Sequence, residues 1–110
     1  MGKSYLSYSA TAILQAVANG YQYGFDIMDI TGLPSGTVYP ALRRLEETEL
    51  VISRWEKEGI AQREQRPPRK YYEITPLGKD ALAEAVKRYR LLEQPLRPAS
   101  RKTKPSGQQG

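Results

Sequence analysis

The spacing of apolar residues changes period part-way along the chain, and that change restricts the folds open to it. Before residue 48 the spacing is helical three times over. Between residues 8 and 19, Ala10, Ile13, Leu14 and Val17 recur at i, i+3, i+4 and i+7, and Gly20 follows as a stop signal. A short second helix from about Tyr23 to Thr31 uses Ile27, Met28 and Ile30 and ends at Gly32. A third begins near Ser35 and runs to about Thr48 with Val38, Ala41, Leu42 and Leu45 in one row. After it the period shortens. Val51 to Lys57 and Arg69 to Thr75 are rich in β-branched and aromatic residues and read as strands. The polar stretch between them, Glu58 to Pro68, suits an exposed hairpin tip. Thr75-Pro76 then opens a last helix, with Thr as N-cap and Pro at the first helical position, running to about Glu93 before Pro95.

The implied fold is mainly α with a small β-hairpin. Three short helices with a tight Gly-containing turn before the third make a helix-turn-helix, and a hairpin directly after it makes the winged form. Residues 1–75 form that domain, 76–93 a helix available for dimerisation, and 94–110 a disordered basic tail with three Pro, two Gly and no aromatic residue.

Composition narrows the function. The 110 residues include no Cys and no His, which excludes zinc sites built on thiolate or imidazole, disulfides, Cys nucleophiles and His relays. Carboxylate pairs such as Glu46 and Glu47 have no His, Cys or phosphate loop beside them and read as a solvated helix surface rather than an enzyme site, so no cofactor and no metal are expected. No targeting signal opens the chain and no stretch approaches the ~20 apolar residues of a membrane span, so a soluble cytoplasmic protein is expected. The net charge is +5, but Arg97, Arg101, Lys102 and Lys104 in the tail supply +4 of it. A case for nucleic acid must therefore rest on where charges cluster.

They cluster on the third helix. At 100° per residue, Gly36, Pro40, Arg43, Arg44 and Glu47 fall opposite the apolar row, with Thr37 and Tyr39 on the flanks. Two guanidinium groups beside hydroxyls suit a recognition helix, since Arg pairs bidentately with guanine or binds phosphate. The same pair also complements a helix C-terminus, so an ordinary surface stays open as a reading. Thr37 as N-cap would put Pro40 in the first turn, where its missing N–H matters little. The hairpin adds Arg54, Lys57, Arg63, Arg66, Arg69 and Lys70, suited to tracking phosphates or lying along a minor groove, or simply to staying solvated. Trp55, the only Trp, is expected in the core or an interface, and of Tyr71 and Tyr72 one should pack inward. The last helix carries Leu77, Ala81, Leu82, Ala85, Tyr89 and Leu92 on one face with Val86 adjacent. That face seeks a partner helix or folds back onto the first helix, and dimerisation is the favoured reading.

Four ordered blocks then resemble a known family: Tyr23-Gly24-Phe25-Asp26-Ile27, Gly36 to Glu46, Ser53-Arg54-Trp55-Glu56, and Arg66-Pro67-Pro68-Arg69-Lys70-Tyr71-Tyr72-Glu73-Ile74-Thr75. Over roughly residues 8 to 92 the chain looks like the PadR family of bacterial transcriptional regulators. The resemblance implies a winged helix-turn-helix homodimer that represses transcription from a pseudo-palindromic operator, with half-sites ~10 bp apart or a multiple. It implies contacts to double-stranded DNA from Tyr23, Ser35, Thr37, Tyr39, Pro40, Arg43 and Arg44, with Arg63, Arg66, Arg69 and Lys70 on the wing. It implies a dimer interface at Leu82, Ala85, Tyr89 and Leu92, a small aromatic effector, and residence on the nucleoid when bound. A winged-helix module that binds protein instead of DNA is the competing function; an apolar outward face on the third helix would favour it.

The chain departs from the family pattern in three places. Glu49 stands after the third helix and Gln65 before the Arg-Pro run, both where the family commonly has Gly, and the last helix has no Trp. Sensing of flat drugs between paired Trp residues on that helix therefore has no basis here. A positive φ at Glu49 would cost ~1 kcal/mol.

Overall fold

A computed structural model describes residues 5–89. Its elements run α1 (Tyr8–Ala18), α2 (Gly24–Thr31), α3 (Ser35–Glu47), β1 (Val51–Trp55), α4 (Glu58–Arg63), β2 (Lys70–Ile74) and α5 (Pro76–Arg88). The helical rows read from the sequence form the core: Ile13, Leu14 and Val17 from α1, Ile27 from α2, and Val38, Leu42 and Leu45 from α3 are all buried. Ile30 is the exception. At 53% exposed it points away, because an eight-residue helix buries only the row of Gly24 and Ile27.

β1 and β2 pair antiparallel in the register Val51↔Ile74, Ser53↔Tyr72 and Trp55↔Lys70. Tyr72 is the inward tyrosine of the pair. The free edge of β2 is met by the turn between α1 and α2: Tyr23 bridges Tyr71, and the Tyr72 N–H donates to the Gln22 carbonyl at 2.9 Å. This third strip of sheet has too few residues to show a period. It ties the helix-turn-helix directly to the hairpin.

Three corrections to the sequence reading follow from the structure. α3 starts at Ser35, as its spacing indicated, but its N-cap is Pro34 and not Thr37, and the Pro34 carbonyl accepts from Thr37 and Val38 at 2.9 and 3.0 Å. Thr37 is therefore inside the helix and Pro40 lies in its second turn. The N–H that Pro40 lacks would have gone to the carbonyl of Gly36, and Gly36 is exposed, so water can take its place. Secondly, the hairpin tip is not an open loop, since its first half is the short helix α4. Glu58 in its first turn and Arg63 in its last complement the helix dipole, and Ala61 is its one buried residue. A turn and a half is too short for a periodic signal. Thirdly, Trp55 is 66% exposed and belongs to no core.

The ends of α1, α3 and α4 share one geometry. After α3 the Leu50 N–H donates to the Leu45 carbonyl at 2.9 Å and the Glu49 N–H to that of Glu46 at 3.0 Å. Tyr21 and Gly20 do the same after α1, and Arg66 and Gln65 after α4. This paired closure needs a left-handed residue at the pivot. Gly20 supplies it freely at φ +99°, whereas Glu49 at +66° and Gln65 at +56° adopt it against steric resistance.

α5 begins as expected. The Thr75 hydroxyl accepts from the Gly78 N–H at 2.9 Å, donates to the Glu49 carbonyl at 2.7 Å, and Pro76 follows at the first helical position. The helix packs against α1. Ala85 is buried within the protomer, Ala81 and Leu82 pack against the core, and the Tyr89 hydroxyl donates to the Leu6 carbonyl at 2.8 Å with its ring edge-on to Tyr8. Residues 90–93 of the expected helix, including Leu92, and the whole tail lie outside the described residues.

Candidate nucleic-acid interface

α3 is held by its buried row and presents what remains. Ser35, Gly36, Tyr39, Pro40, Arg43, Arg44 and Glu47 are exposed, and Thr37 is half-buried. Among the described residues the guanidinium groups of Arg43 and Arg44 make no ion pair and no hydrogen bond. Unpaired cations on a rigid helix are free to meet phosphate or a base edge without first breaking an interaction. The exposed apolar groups of this face, Tyr39 and Pro40, stand among Ser35, Arg43, Arg44 and Glu47.

Tyr39 has a second contact. Its ring lies over Gly24, where a Cβ would collide with it, so the Tyr23-Gly24 step lets α3 seat against the N-terminus of α2. The turn between the two helices is made by Gly32 in the left-handed region at φ +73°.

The hairpin is organised around Glu56. This carboxylate accepts from Arg66 at 2.6 and 2.9 Å in a two-pronged pair, from the Arg69 backbone N–H at 3.1 Å, and from the Tyr23 hydroxyl at 3.4 Å. Arg66 turns its remaining Nε–H to Glu64 at 2.9 Å. The hydrogen-bonded guanidinium holds the Glu56 carboxyl at about 2, well below the usual carboxylate range. The Tyr23 phenol is pushed up, first by burial and then by the Glu56 charge. Arg66, expected in the DNA-contacting set, is thus a clamp inside the hairpin, its charge paired within the protein. Nor is Tyr23 a free surface tyrosine: it is half-buried, its ring lies beside Tyr71, and Arg69 sits over it at 5.8 Å.

The other wing residues divide. Arg63 on α4 is exposed, without an ion pair among the described residues, and Arg69 is also exposed. Lys70 is half-buried. Its ammonium lies 3.8 Å from Glu46 and 5.9 Å from the centre of the Trp55 ring, and Glu46 also accepts from the Ser53 hydroxyl at 2.6 Å. Of the expected interface set on the last helix, Ala85 is 2% exposed within the protomer, on the part of α5 that packs against α1. The sequence reading missed the role of Glu56, which it named only within one of the four family blocks, and the seat of Tyr39 on Gly24. No spacing rule links Tyr23 to Glu56, which stand 33 positions apart; only the fold brings that hydroxyl to that carboxylate.

The sequence profile of the PadR-like family of transcriptional regulators matches residues 13–84. The chain belongs to this family. Its fold is also similar to solved members. A PadR family transcription regulator from Clostridium difficile is 28% identical, with a TM-score of 0.66 over 79% of this chain and 92% of that one. A PadR-like transcription factor from Bacteroides fragilis is 28% identical, with a TM-score of 0.62 over 76% of this chain and 82% of that one. Bordetella bronchiseptica BpsR, whose DNA binding is regulated by 6-hydroxynicotinic acid, shares the fold at 21% identity and a TM-score of 0.63, over 92% of this chain and 75% of that one. Among curated proteins nothing matches. Membership makes the chain a DNA-binding transcription regulator of winged-helix form, in a family of regulators rather than enzymes. Among the described residues no helix is long and apolar enough to cross a membrane.

Proposed function

We propose that the protein is a ligand-responsive repressor that binds a pseudo-palindromic operator as a homodimer in the cytoplasm. α3 enters the major groove, with Arg43 and Arg44 reading or anchoring it and Ser35, Thr37, Tyr39 and Pro40 along its leading half. Arg63 and Arg69 approach the flanking backbone. The observation that carries this reading is the pair of exposed arginines on α3 without ion pairs, on a helix whose opposite face is fully buried.

The homodimer rests on family habit and on what α5 leaves outside the protomer. Leu77 is 55% exposed, and Leu82, Val86 and Tyr89 keep partial exposure. Responsiveness to an effector is supported by a cavity of about 240 Å³ between the N-terminal segment and α3, lined by Tyr5, Leu6, Ala10, Ala41, Arg44 and Leu45. A small aromatic acid there would engage Arg44 and withdraw it from DNA. The compound that regulates BpsR is the first to try.

Selection of genomic fragments on the purified protein at ~150 mM salt tests the reading, because weak phosphate attraction is then partly suppressed. A recurring inverted repeat is the expected result. Enrichment without a motif would reduce the function to phosphate binding. No enrichment would favour a module that binds protein.

A further inference from the structure

Trp55 is the largest side chain that the fold leaves in water without an evident reason. A 66% exposed indole on a strand forgoes the burial that a Trp normally brings. Its surroundings give it a direction. In the hairpin register Trp55 stands opposite Lys70, and Ser53 opposite Tyr72, so these four share one face. That face is turned to α3: Tyr72 is buried in the core, and both Ser53 and Lys70 reach Glu46 of α3. Trp55 is the outermost member of the row. It stands beyond the last buried residue, on the side of the hairpin that meets the helix carrying Arg43. The long 3.8 Å ion pair to Glu46 holds the Lys70 ammonium over the indole ring instead of letting it swing into solvent.

We propose that Trp55 is a DNA-contacting residue, an aromatic plate at the root of the wing that packs on the sugar-phosphate backbone beside the groove α3 enters. The indole N–H donates to a phosphate oxygen, the ring face covers deoxyribose, and Lys70 adds its charge at the ring's edge. The proposal rests on the reading of α3 as the recognition helix. It adds to that reading an apolar contact that a wing of cations alone would not supply. Apolar and aromatic side chains set against DNA exclude water from neighbouring phosphate contacts and strengthen them.

The chain carries its own probe, since Trp55 is its only Trp. A fluorescein-labelled duplex bearing the selected inverted repeat is titrated with the full chain, and binding is followed by anisotropy. Acrylamide quenching of the Trp emission is measured in parallel on the free and the saturated protein. The expected result is a free indole that is readily quenched and becomes at least about threefold less accessible at saturation, as a desolvated interfacial aromatic does. Trp55→Ala should weaken binding on the order of tenfold, as loss of one interfacial aromatic does, with an unchanged melting temperature. Trp55→Phe, which keeps a ring but not the N–H, should recover part of that loss. Saturable anisotropy with unchanged quenching would overturn the role of Trp55 and leave the recognition helix standing. No rise in anisotropy would overturn both. An indole already shielded in the free protein would assign it to a protein interface and overturn the proposal as well.

Discussion

Arg43 and Arg44 on α3 and Arg66 in the wing are the same residue in two different trades. Arg43 and Arg44 stand in water with no ion pair among the described residues, on a helix fixed by the buried row Val38, Leu42 and Leu45. Arg66 is tied on both sides, to Glu56 and to Glu64, with its side chain 19% exposed. The first pair is available to a polyanion. The second guanidinium already has its anion inside the protein. A basic run in a sequence is therefore not a measure of what a surface offers DNA, because a single well-placed carboxylate turns a cation into a fastener.

The comparison can be broken most severely at α3. Replacing Arg43 and Arg44 together with Ala should weaken operator binding by a few kcal/mol while leaving the circular dichroism spectrum intact. The logarithmic salt dependence should become shallower by about 1 for each of the two that binds phosphate. Arg66→Ala should behave in the opposite way. Its main effect is on hairpin stability, and the salt slope of the binding that remains should hardly change. A loss of slope with Arg66→Ala equal to that of either α3 arginine would erase the distinction.

Next in size is Gly24→Ala. A Cβ at this position collides with the ring of Tyr39, so either the ring turns out or the N-terminus of α2 shifts from α3. Overpacking of this kind costs about 1–3 kcal/mol, readable in a urea titration. Because Tyr39 belongs to the proposed DNA-facing set, operator affinity should fall too. Tyr39→Ala in the Gly24→Ala background should restore stability but not affinity, which separates the seat from the contact.

Acid titration sharpens the wing's half of the comparison. The Glu56 carboxyl has its folded value lowered to about 2 from an ordinary 4.5. Its contribution is thus complete above the ordinary value and is lost as the pH falls through about 2. The urea midpoint of the unmodified chain should drop across that window more than that of Glu56→Gln, and the two curves should converge at the acid end. Parallel curves would mean that the pair does not hold the hairpin in solution.

How far the sequence disclosed all this depended on whether a feature repeats. The rows of α1 and α3, the two strands and the Thr75-Pro76 start were legible because several residues at fixed spacing signal each of them. The exposed Arg43 and Arg44 followed from the same wheel. Features built from single distant residues were not legible. Nothing local marks Tyr23 as a partner of Glu56, and α4 is too short to show a period. The start of α3 near Ser35 was legible too, but not its cap: Thr37 is a good capping residue by type, whereas the cap is Pro34, whose carbonyl accepts from Thr37 and Val38. Exposure of Trp55 ran against residue preference, which is the kind of failure that points to a site.

The smallest effect concerns the helix ends, where sequence and geometry meet most directly. Glu49 and Gln65 occupy the same left-handed pivot that Gly20 fills at the end of α1. Steric crowding of Cβ against the following carbonyl costs a non-glycine residue about 1–2 kcal/mol there, and glycine returns part of that through its freer unfolded chain. Glu49→Gly should therefore stabilise the domain by about 1 kcal/mol or somewhat less, a rise of roughly 4–8 °C per kcal/mol in melting temperature for a domain of this size. Gln65→Gly should give a similar or smaller gain, since the wing it closes is also held by the Glu56–Arg66 pair. The two differ in what they should do to DNA binding. Glu49 joins α3 to β1, inside the rigid part of the fold, so relaxing it should leave operator affinity unchanged. Gln65 sits between Arg63 and the clamped Arg66, and a glycine there loosens the path of the very arginine the wing presents. A weaker operator complex from Gln65→Gly, in a protein that melts no lower, would show that the strained turn serves to aim Arg63 and not merely to end a helix.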